Sequence, residues 1–327
     1  IKPVLEDETT IQYASKQARD LLNLTTAIST IWKWIDIVEI DEKSYNETEN
    51  KVLQGCSGRI SIDEVYDNGD GIIIITDPVK DTILKATLLE GKPEKEDIEK
   101  ELTGLTEIEI KSCTKDGSPL YINTIKTIFP NALQQICVFH FIKMVLKAFL
   151  DWHREIRDNV KSNRLPGGLK GNCRNIKKML LQKRNIFIKK RITGKERDSV
   201  KQIIESYPEM KELRYQYLKF MRIFKAVTIA EAERRFWDFL SEPIVREKIP
   251  KLEKQILKYY HSGELFTYLL FEESLRKKIR TINHTERTNR KFRKKQKTHY
   301  RIRKTERRKN MLKLMIYFHN MKILKLG

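Results

Sequence analysis

The sequence contains no run of about 18 apolar residues, and its beginning lacks the basic, apolar and small-residue succession of a secretory signal. These absences predict a chain without membrane spans. Only four cysteines occur among the 327 residues, and no two of them form a CxxC pair. They are therefore expected to be reduced thiols in a reducing compartment.

The chain is long, and it has a substantial content of apolar residues. Its 327 residues exceed one ordinary domain and suit two or three. Hydrophobic residues make up 40% and charged residues 33%, which is enough to bury a core and too apolar for wholesale disorder. The first residue is Ile1 and not Met, so an N-terminal piece is expected to be missing.

The net charge of +21 is spread unevenly along the chain. Residues 1–140 contain 15 Lys and Arg against 25 Asp and Glu, whereas residues 141–327 contain 50 against 19. This division suggests that one part binds a polyanion while carboxylates work in another, and nucleic acid is the commonest such partner. A membrane surface is the weaker alternative, because the densest basic stretch, residues 276–309, has few apolar residues.

Residues 1–57 are predicted to form a small helical unit. Two short helices are expected within residues 11–35, and their short connection suits a helix-turn-helix. Its second helix would present Lys33 to a DNA major groove. A plain packing role stays open, because residues 1–50 contain more acids than bases.

From Gly58 the pattern changes to short strands with turn residues between them. The predicted order is three strands, a helix, a strand, a helix and a strand, with the strands over 59–66, 72–76, 82–89, 106–113 and 135–140 and the helices over 94–105 and 120–129. Such an order predicts an α/β fold, with one mixed five-stranded sheet flanked by helices. About 130 helical residues follow, and then a basic segment that ends in an apolar helix.

Two acids in the acidic half stand at positions that need an explanation. Asp63 lies in the middle of an apolar strand, where a charge costs several kcal/mol unless it is paired or metal-bound. Its neighbour Glu64 is expected to point to the opposite face. Asp116 follows the fourth strand at its carboxyl end, where open α/β sheets place ligands. The alternatives are a solvated edge strand for Asp63 and an ordinary turn for Asp116. Four further aspartates lie in turns and are expected to be solvated: Asp67, Asp70, Asp77 and Asp81.

Glu286 is a lone acid in a segment rich in Arg and Lys. In a helix it would share a face with Asn283, Asn289 and Arg290, which are three or four residues apart. Amides beside a carboxylate suit the orientation of a ligand or of a nucleic-acid backbone, while a surface ion pair is the alternative. Glu272 and Glu273 are second choices for the same role because they lack flanking asparagines.

Four motifs in this order resemble the marks of DDE transposases, in the Mutator-like branch and its prokaryotic insertion-sequence relatives: Ser61-Ile62-Asp63-Glu64, Lys115-Asp116-Gly117 with Tyr121 beyond it, Cys137-Val138-Phe139-His140 and Asn283-His284-Thr285-Glu286-Arg287-Thr288-Asn289. The resemblance spans roughly residues 58–300 and implies a ribonuclease-H-like fold with a large all-α insertion. It divides the chain into a first catalytic part, the insertion, and a return helix with a basic DNA-binding tail, over 58–145, 146–271 and 272–327. Some relatives carry an N-terminal zinc module, and nothing of that kind is visible before Asp63.

The resemblance also implies the chemistry. Asp63, Asp116 and Glu286 would be the catalytic, metal-binding triad for two Mg²⁺ or Mn²⁺ ions, with His140 and Cys137 assisting. The reaction would be cleavage of transposon ends and transfer of the 3′-hydroxyl into target DNA. A related nuclease and an inactive, transposase-derived DNA-binding protein are the alternatives.

The implied partner is double-stranded DNA, both transposon ends and target, bound by a homodimer or a higher multimer and with no membrane. The implied place is the cytoplasm with its nucleoid in a prokaryote, or the nucleus in a eukaryote. The residues expected to contact DNA are Lys33, Asn283, Arg287, Asn289, Arg290, Arg293, Lys294, Lys297 and Arg301.

Overall fold

The structure, a computed structural model, describes residues 40–67, 69–160, 173–296 and 305–326, together with four single residues nearer the N-terminus. The chain divides into two compact units. The sheet unit consists of residues 1–137 and 272–327, and the helical unit consists of residues 138–271.

The helix-turn-helix predicted within residues 11–35 lies almost wholly outside the described residues. Four described residues fall in that part of the chain and are helical, Lys16, Ser29, Thr30 and Lys33, and Lys33 is exposed. The DNA-reading role of this segment therefore stays a prediction.

The sheet unit contains the five predicted strands. They are β1 Arg59–Asp67, β2 Asp70–Asp77, β3 Thr82–Glu90, β4 Ser112–Lys115 and β5 Leu133–Ile136. Their order in the sheet is β3-β2-β1-β4-β5, in which β1, β2 and β3 pair antiparallel while β1, β4 and β5 pair parallel. The predicted mixed five-stranded α/β sheet is thus confirmed, and it is consistent with a ribonuclease-H-like fold.

Helices make up most of the rest of the described chain. In chain order they are α1 Glu42–Gln54, α2 Lys95–Thr103, α3 Thr124–Ile128, α4 Val138–Asp158, α5 Cys173–Phe187, α6 Gly194–Ser206, α7 Glu209–Ile223, α8 Ile229–Leu240, α9 Pro243–Lys248, α10 Pro250–His261, α11 Glu273–Ile279, α12 Asn283–Gln296 and α13 Thr305–Leu326. None of the helices within the described ranges is long and apolar enough to cross a membrane.

Strand β2 shows how the sheet is covered on both faces. All of its residues are buried, and successive side chains point to opposite faces. Ile73 and Ile75 pack in a core with α2 and α3. Ile72 and Ile74 pack in a second core with α12 and α13. The sheet is therefore the middle of three layers, as a strand with four successive isoleucines buried on both faces requires.

The predicted fourth strand begins too early. Residues 106–111 alternate in hydropathy, but the N–H groups of Thr106 and Ile108 bond back to Thr103 and Leu105 in turns that follow α2. Strand β4 starts only where Lys111 and Ser112 donate to the carbonyl of Gly58, whose φ of +72° suits glycine. Local hydrogen bonding thus overrides the periodic pattern at this end of the strand.

Two further predicted elements differ from the structure. The helix expected over 120–129 is a short 3₁₀ turn, Pro119–Tyr121, and then α3, separated by Asn123 with a φ of +62°. The strand expected over 135–140 ends at Ile136, because Val138 begins helix α4.

The helical unit is built around aromatic side chains. Helix α4 buries Phe141, Val145, Phe149 and Trp152, which are three or four residues apart and so share one face. Phe149 contacts Phe220 of α7 at a ring-centroid distance of 6.3 Å.

His153 is a buried histidine in this core that makes the unit sensitive to acid. It is 2% exposed, and its Nε2 atom has no hydrogen-bond partner within the described ranges. Burial, with smaller contributions from the charges of Arg157 and Arg184, lowers its pKa from 6.5 to about 4. His153 therefore takes up a proton below pH 6.5 in the unfolded chain, while in the folded unit its side chain stays neutral down to about pH 4. Above pH 6.5 this difference does not reduce the free energy of unfolding. As the pH falls from 6.5 to 4, the free energy of unfolding decreases by about 3 kcal/mol.

We expect His153→Leu to remove this loss, because leucine cannot be protonated. Hydrogen exchange of α4 amides at pH 7.5 and 4.5 measures the effect in the full chain. His261→Leu, at an exposed position of the same unit, is the control. Equal pH dependence of exchange in His153→Leu and the unmodified protein would contradict the prediction.

Candidate active site

Asp63 lies on β1, the central strand of the sheet. It pairs with Ile74, whose side chain packs with Phe292 of α12, so Asp63 faces that helix. The carboxylate is 7% exposed and accepts a hydrogen bond of 2.6 Å from Nδ2 of Asn289. The alternative of a solvated edge strand is therefore wrong.

Asp116 follows β4 directly. Its Oδ1 accepts from the N–H of Ser118 at 2.7 Å, which holds the side chain in a tight turn. Strands β1 and β4 are parallel neighbours, so their carboxyl ends reach the same edge of the sheet. This pairing brings Asp63 and Asp116 together.

Glu64 joins these two acids although it starts on the other face. The expected alternation holds for the backbone, since Glu64 pairs with Ile73 and its carboxylate accepts from the hydroxyl of Tyr121. Strand β4 pairs with β1 only as far as Ser61, so no neighbouring strand separates the two faces beyond that point. Asp63, Glu64 and Asp116 each place an oxygen within 4.8 Å of the others. The expectation of opposite faces missed this convergence.

Glu286 lies in the first turn of α12 and is half-buried. It is not a member of the 4.8 Å group, but it lies close enough for its charge to act on Asp63. The second choices for its role engage neighbours in their own segment. Glu272 accepts from the hydroxyl of Ser274 at 2.7 Å, and Glu273 pairs with Lys277 at 3.5 Å. Their positions favour Glu286 as the third acid.

Helix α12 turns different residues to the sheet and to solvent. Thr285, Asn289 and Phe292 are buried, whereas Asn283, Arg287 and Arg290 are exposed. The expected common face of Asn283, Glu286, Asn289 and Arg290 is thus wrong. A helix turns about 100° per residue, so Asn289 lies about 120° from Asn283. At 3% exposure Asn289 contacts Asp63 and is not turned to the surface where DNA contact was expected.

Burial and neighbouring carboxylates disfavour the charged form of Asp63. Burial raises the pKa of Asp63 to about 7. The charges of Glu64, Asp116 and Glu286 act in the same direction. The hydrogen bond from Asn289 opposes them and lowers the pKa. Like charges held this close are stabilised by a cation.

The donor set fits a divalent metal ion. Carboxylate oxygens are the hard ligands that Mg²⁺ and Mn²⁺ prefer. Beside them, the amide oxygen Oδ1 of the buried Asn289 has no hydrogen-bond partner among the residues described. An orphaned hard oxygen next to Asp63 is further capacity for a cation or for its water.

A comparison with known families decides what kind of protein carries this cluster. A family model described as Transposase, that of the ISL3 group of DDE transposases, matches residues 60–306. The chain belongs to this family. The predicted DDE transposase identity is confirmed, but the group is ISL3 and not the Mutator-like group. None of the curated proteins searched matches the chain.

Membership places this transposase in DNA transposition and makes its gene part of a mobile element. DNA is accordingly its partner. The matched span begins at the start of β1 and ends beyond α12, so it contains all three predicted acids.

The Cys137–His140 motif of the transposase spans the boundary of the two units. Cys137 is fully buried in the sheet unit, and its Sγ accepts from the N–H of Ile282 at 3.5 Å. His140 stands in the first turn of α4 and is half-buried, not at the end of a strand as expected. Its assisting role stays a prediction.

Asp70 and Asp77, expected to be solvated, are buried. Asp70 forms an ion pair with Arg308 of α13. Asp77 accepts from the N–H groups of Ser57 and Val79 at 2.6 and 2.8 Å. These contacts tie turns to neighbouring elements and give both acids a structural role. The side chain of Asp67 lies outside the described part, and Asp81 is half-exposed and paired with His284 of α12.

Apart from the buried Asn289, the residues expected to bind DNA divide into three groups. Asn283, Arg287 and Arg290 form the exposed face of α12, and Lys33 is exposed on a helical segment. Arg293 is half-buried on α12. The side chain of Lys294 and the whole of Lys297 and Arg301 lie outside the described part.

Proposed function

We propose that this transposase cuts the ends of its mobile element and joins the freed 3′-hydroxyls to target DNA at the carboxylate cluster. The supporting observation is the convergence of Asp63 and Asp116 at one edge of the sheet, with the charge of Glu286 acting on Asp63. These acids come from three separate parts of the chain. Phosphoryl transfer with divalent metals requires such a meeting of carboxylates.

Asp63, Asp116 and Glu286 would hold the metal, as two Mg²⁺ or Mn²⁺ ions. When bound, these ions would activate the attacking oxygen and stabilise the leaving oxygen. In the first reaction a water oxygen bonds to phosphorus, the bond to the 3′-oxygen breaks, and that oxygen takes up a proton. In the second, the 3′-hydroxyl loses its proton and its oxygen bonds to phosphorus of a target phosphodiester, one phosphorus–oxygen bond of the target breaks, and the leaving oxygen takes up a proton.

The protein's own part in this chemistry is to position groups. Asn289 holds Asp63 from α12, and the backbone of Ser118 holds Asp116. Helix α12 presents Arg287 and Arg290 on its outer face, next to the half-buried Glu286. DNA phosphates bound to these arginines would lie beside the helix that supplies the third acid.

The two units would have different roles. The sheet unit is the catalytic domain in this proposal, with the segment after residue 272 returning Glu286 and the basic tail to it. The helical unit is the insertion. Since two ends must be joined to one target, we expect at least two copies of the chain on DNA.

The metal requirement tests this function against a DNA-binding protein without activity. We expect EDTA to reduce cleavage of a labelled element end to background, because the acids alone neither activate water nor neutralise the transition state. Binding of the same DNA, measured by gel shift, is expected to change by less than about threefold, because the basic residues make phosphate contacts without metal. The inverted repeats that flank the gene supply the substrate.

Three outcomes separate the candidates. Mg²⁺-dependent cleavage with a joined product supports the transposase reaction. Cleavage without joining would indicate a related nuclease. Binding without Mg²⁺-dependent cleavage would contradict the proposal and favour the inactive binding protein.

A further inference from the structure

Glu64 is a fourth acid in the cluster that the three-acid chemistry does not use. Its carboxylate lies within 4.8 Å of oxygens of both Asp63 and Asp116. Two oxygens bound to one Mg²⁺ are about 3 Å apart at right angles and about 4 Å apart on opposite sides, given metal–oxygen distances of about 2.1 Å. Oxygens that all lie within 4.8 Å of one another are therefore close enough for a shared ion to bind them after at most a modest side-chain adjustment.

The side chain of Glu64 is half-buried and is held in place by a hydrogen bond. The hydroxyl of Tyr121 donates to its Oε2, and Tyr121 is 1% exposed. Three residues before Tyr121, the Ser118 N–H donates to Oδ1 of Asp116 at 2.7 Å. One short segment after β4 thus orients two carboxylates of the same cluster.

A purely structural role for Glu64 does not account for its charge. Tyr121 needs an acceptor for its buried hydroxyl, and a neutral glutamine would supply one equally well. A third carboxylate beside two others adds repulsion, which a bound cation relieves. A bound cation would therefore give a carboxylate at this position a use that the hydrogen bond to Tyr121 alone does not.

We propose that Glu64 is a fourth carboxylate ligand of the metal centre and that Tyr121 is the positioning residue that holds it there. This inference rests on the proposed function, because it assumes that Asp63 and Asp116 bind the metal. It adds a residue of β1 that the three-acid scheme leaves out.

Titration of the full chain with Mn²⁺ tests the inference without DNA or turnover, since the electron paramagnetic resonance signal reports the free ion. Glu64→Gln is expected to weaken Mn²⁺ binding by at least about tenfold. Tyr121→Phe keeps the carboxylate but releases it, and is expected to weaken binding by at least about threefold. Both variants keep the shape of the site, and Glu64→Gln retains an acceptor for Tyr121. Thermal unfolding checks that each variant is folded.

The matched controls lie in the same unit. Glu101→Gln removes a buried carboxylate that pairs with Lys85 at 3.8 Å, and Tyr45→Phe removes the hydroxyl of a half-buried tyrosine on α1. Both are expected to bind Mn²⁺ within twofold of the unmodified protein. Asp63→Asn is the reference for loss of the centre.

The outcomes distinguish the two proposals. If Glu64→Gln binds Mn²⁺ normally while Asp63→Asn does not, the metal centre stands and the role of Glu64 is overturned. If Asp63→Asn also binds normally, the metal centre itself is overturned. A normal Tyr121→Phe beside a weakened Glu64→Gln would remove the positioning role alone. Should Glu64→Gln not fold, Glu64→Ala takes its place, and normal Mn²⁺ binding by it overturns the ligand role of Glu64.

Discussion

Asp63→Asn is expected to lower the rate of end cleavage by at least about 10³-fold, which corresponds to about 4 kcal/mol of transition-state stabilisation. The amide is neutral and a weaker metal ligand, and Asp63 contacts Asn289 and lies within 4.8 Å of Glu64 and Asp116. Folding is expected to be kept. Burial raises the pKa of Asp63 to about 7, so a neutral side chain suits the metal-free site. Single-turnover cleavage of a labelled end measures the rate.

Glu286→Gln is expected to have an effect of the same size for the same reason. Glu273→Gln is the matched control, because Glu273 is an exposed acid of the neighbouring helix that pairs with Lys277. DNA binding by gel shift is expected to stay within about threefold in all three variants. Cleavage at the unmodified rate by either site variant would mean that the triad is wrongly assigned.

The affinity for DNA is expected to fall steeply with salt. Residues 276–309 contain 17 Lys and Arg and only two acids. If six to ten of these cations contact phosphates, raising the salt from 50 to 200 mM lowers the affinity by about 10³- to 10⁵-fold, because bound counterions are released. Fluorescence anisotropy of a labelled duplex over this range gives the slope of log K against log salt.

Single substitutions locate this effect on α12. Arg287→Ala and Arg290→Ala are each expected to lower the slope by about 1, because both side chains are exposed on its outer face. Lys95→Ala is the control, since Lys95 lies on α2 in the acidic half and pairs with Glu99. A slope near zero for the unmodified protein would contradict a DNA-gripping role of the basic segment.

Elements with a strong local pattern could be predicted well. Strands β1, β2 and β3 agree with the prediction to within two residues at either end, since alternation and turn residues act over a few neighbours. The error at the fourth strand has a local and a distant cause: turns after α2 take up the N–H groups of Thr106 and Ile108, and a contact with Gly58 sets where the strand begins. Strand β4 starts at Ser112 because Gly58 accepts from its N–H, and a pattern of alternating residues does not contain that contact.

In the site, too, some residues could be predicted from their own segment, whereas others depend on contacts between distant segments. Asp63, Asp116 and Glu286 could be singled out because each is unusual in its own segment, and the motif order pointed to a DDE transposase. The sequence does not predict that Glu64 lies with them, since strand alternation alone places neighbours on opposite faces. Its carboxylate reaches the cluster because the pairing of β4 with β1 stops at Ser61.

The amino-acid sequence by itself determined the order of strands and helices, the split into acidic and basic halves, and the acids that are candidate metal ligands. These follow from local periodicity and from charge, which neighbouring residues carry. Only the tertiary structure decided that Glu64 joins the acids and that Asn289 supports Asp63 from α12. Both depend on contacts between residues far apart in the chain, namely the parallel pairing of β1 with β4 and the packing of α12 on the sheet. Such contacts form because the apolar faces of whole elements must be buried together, a requirement that no single segment contains.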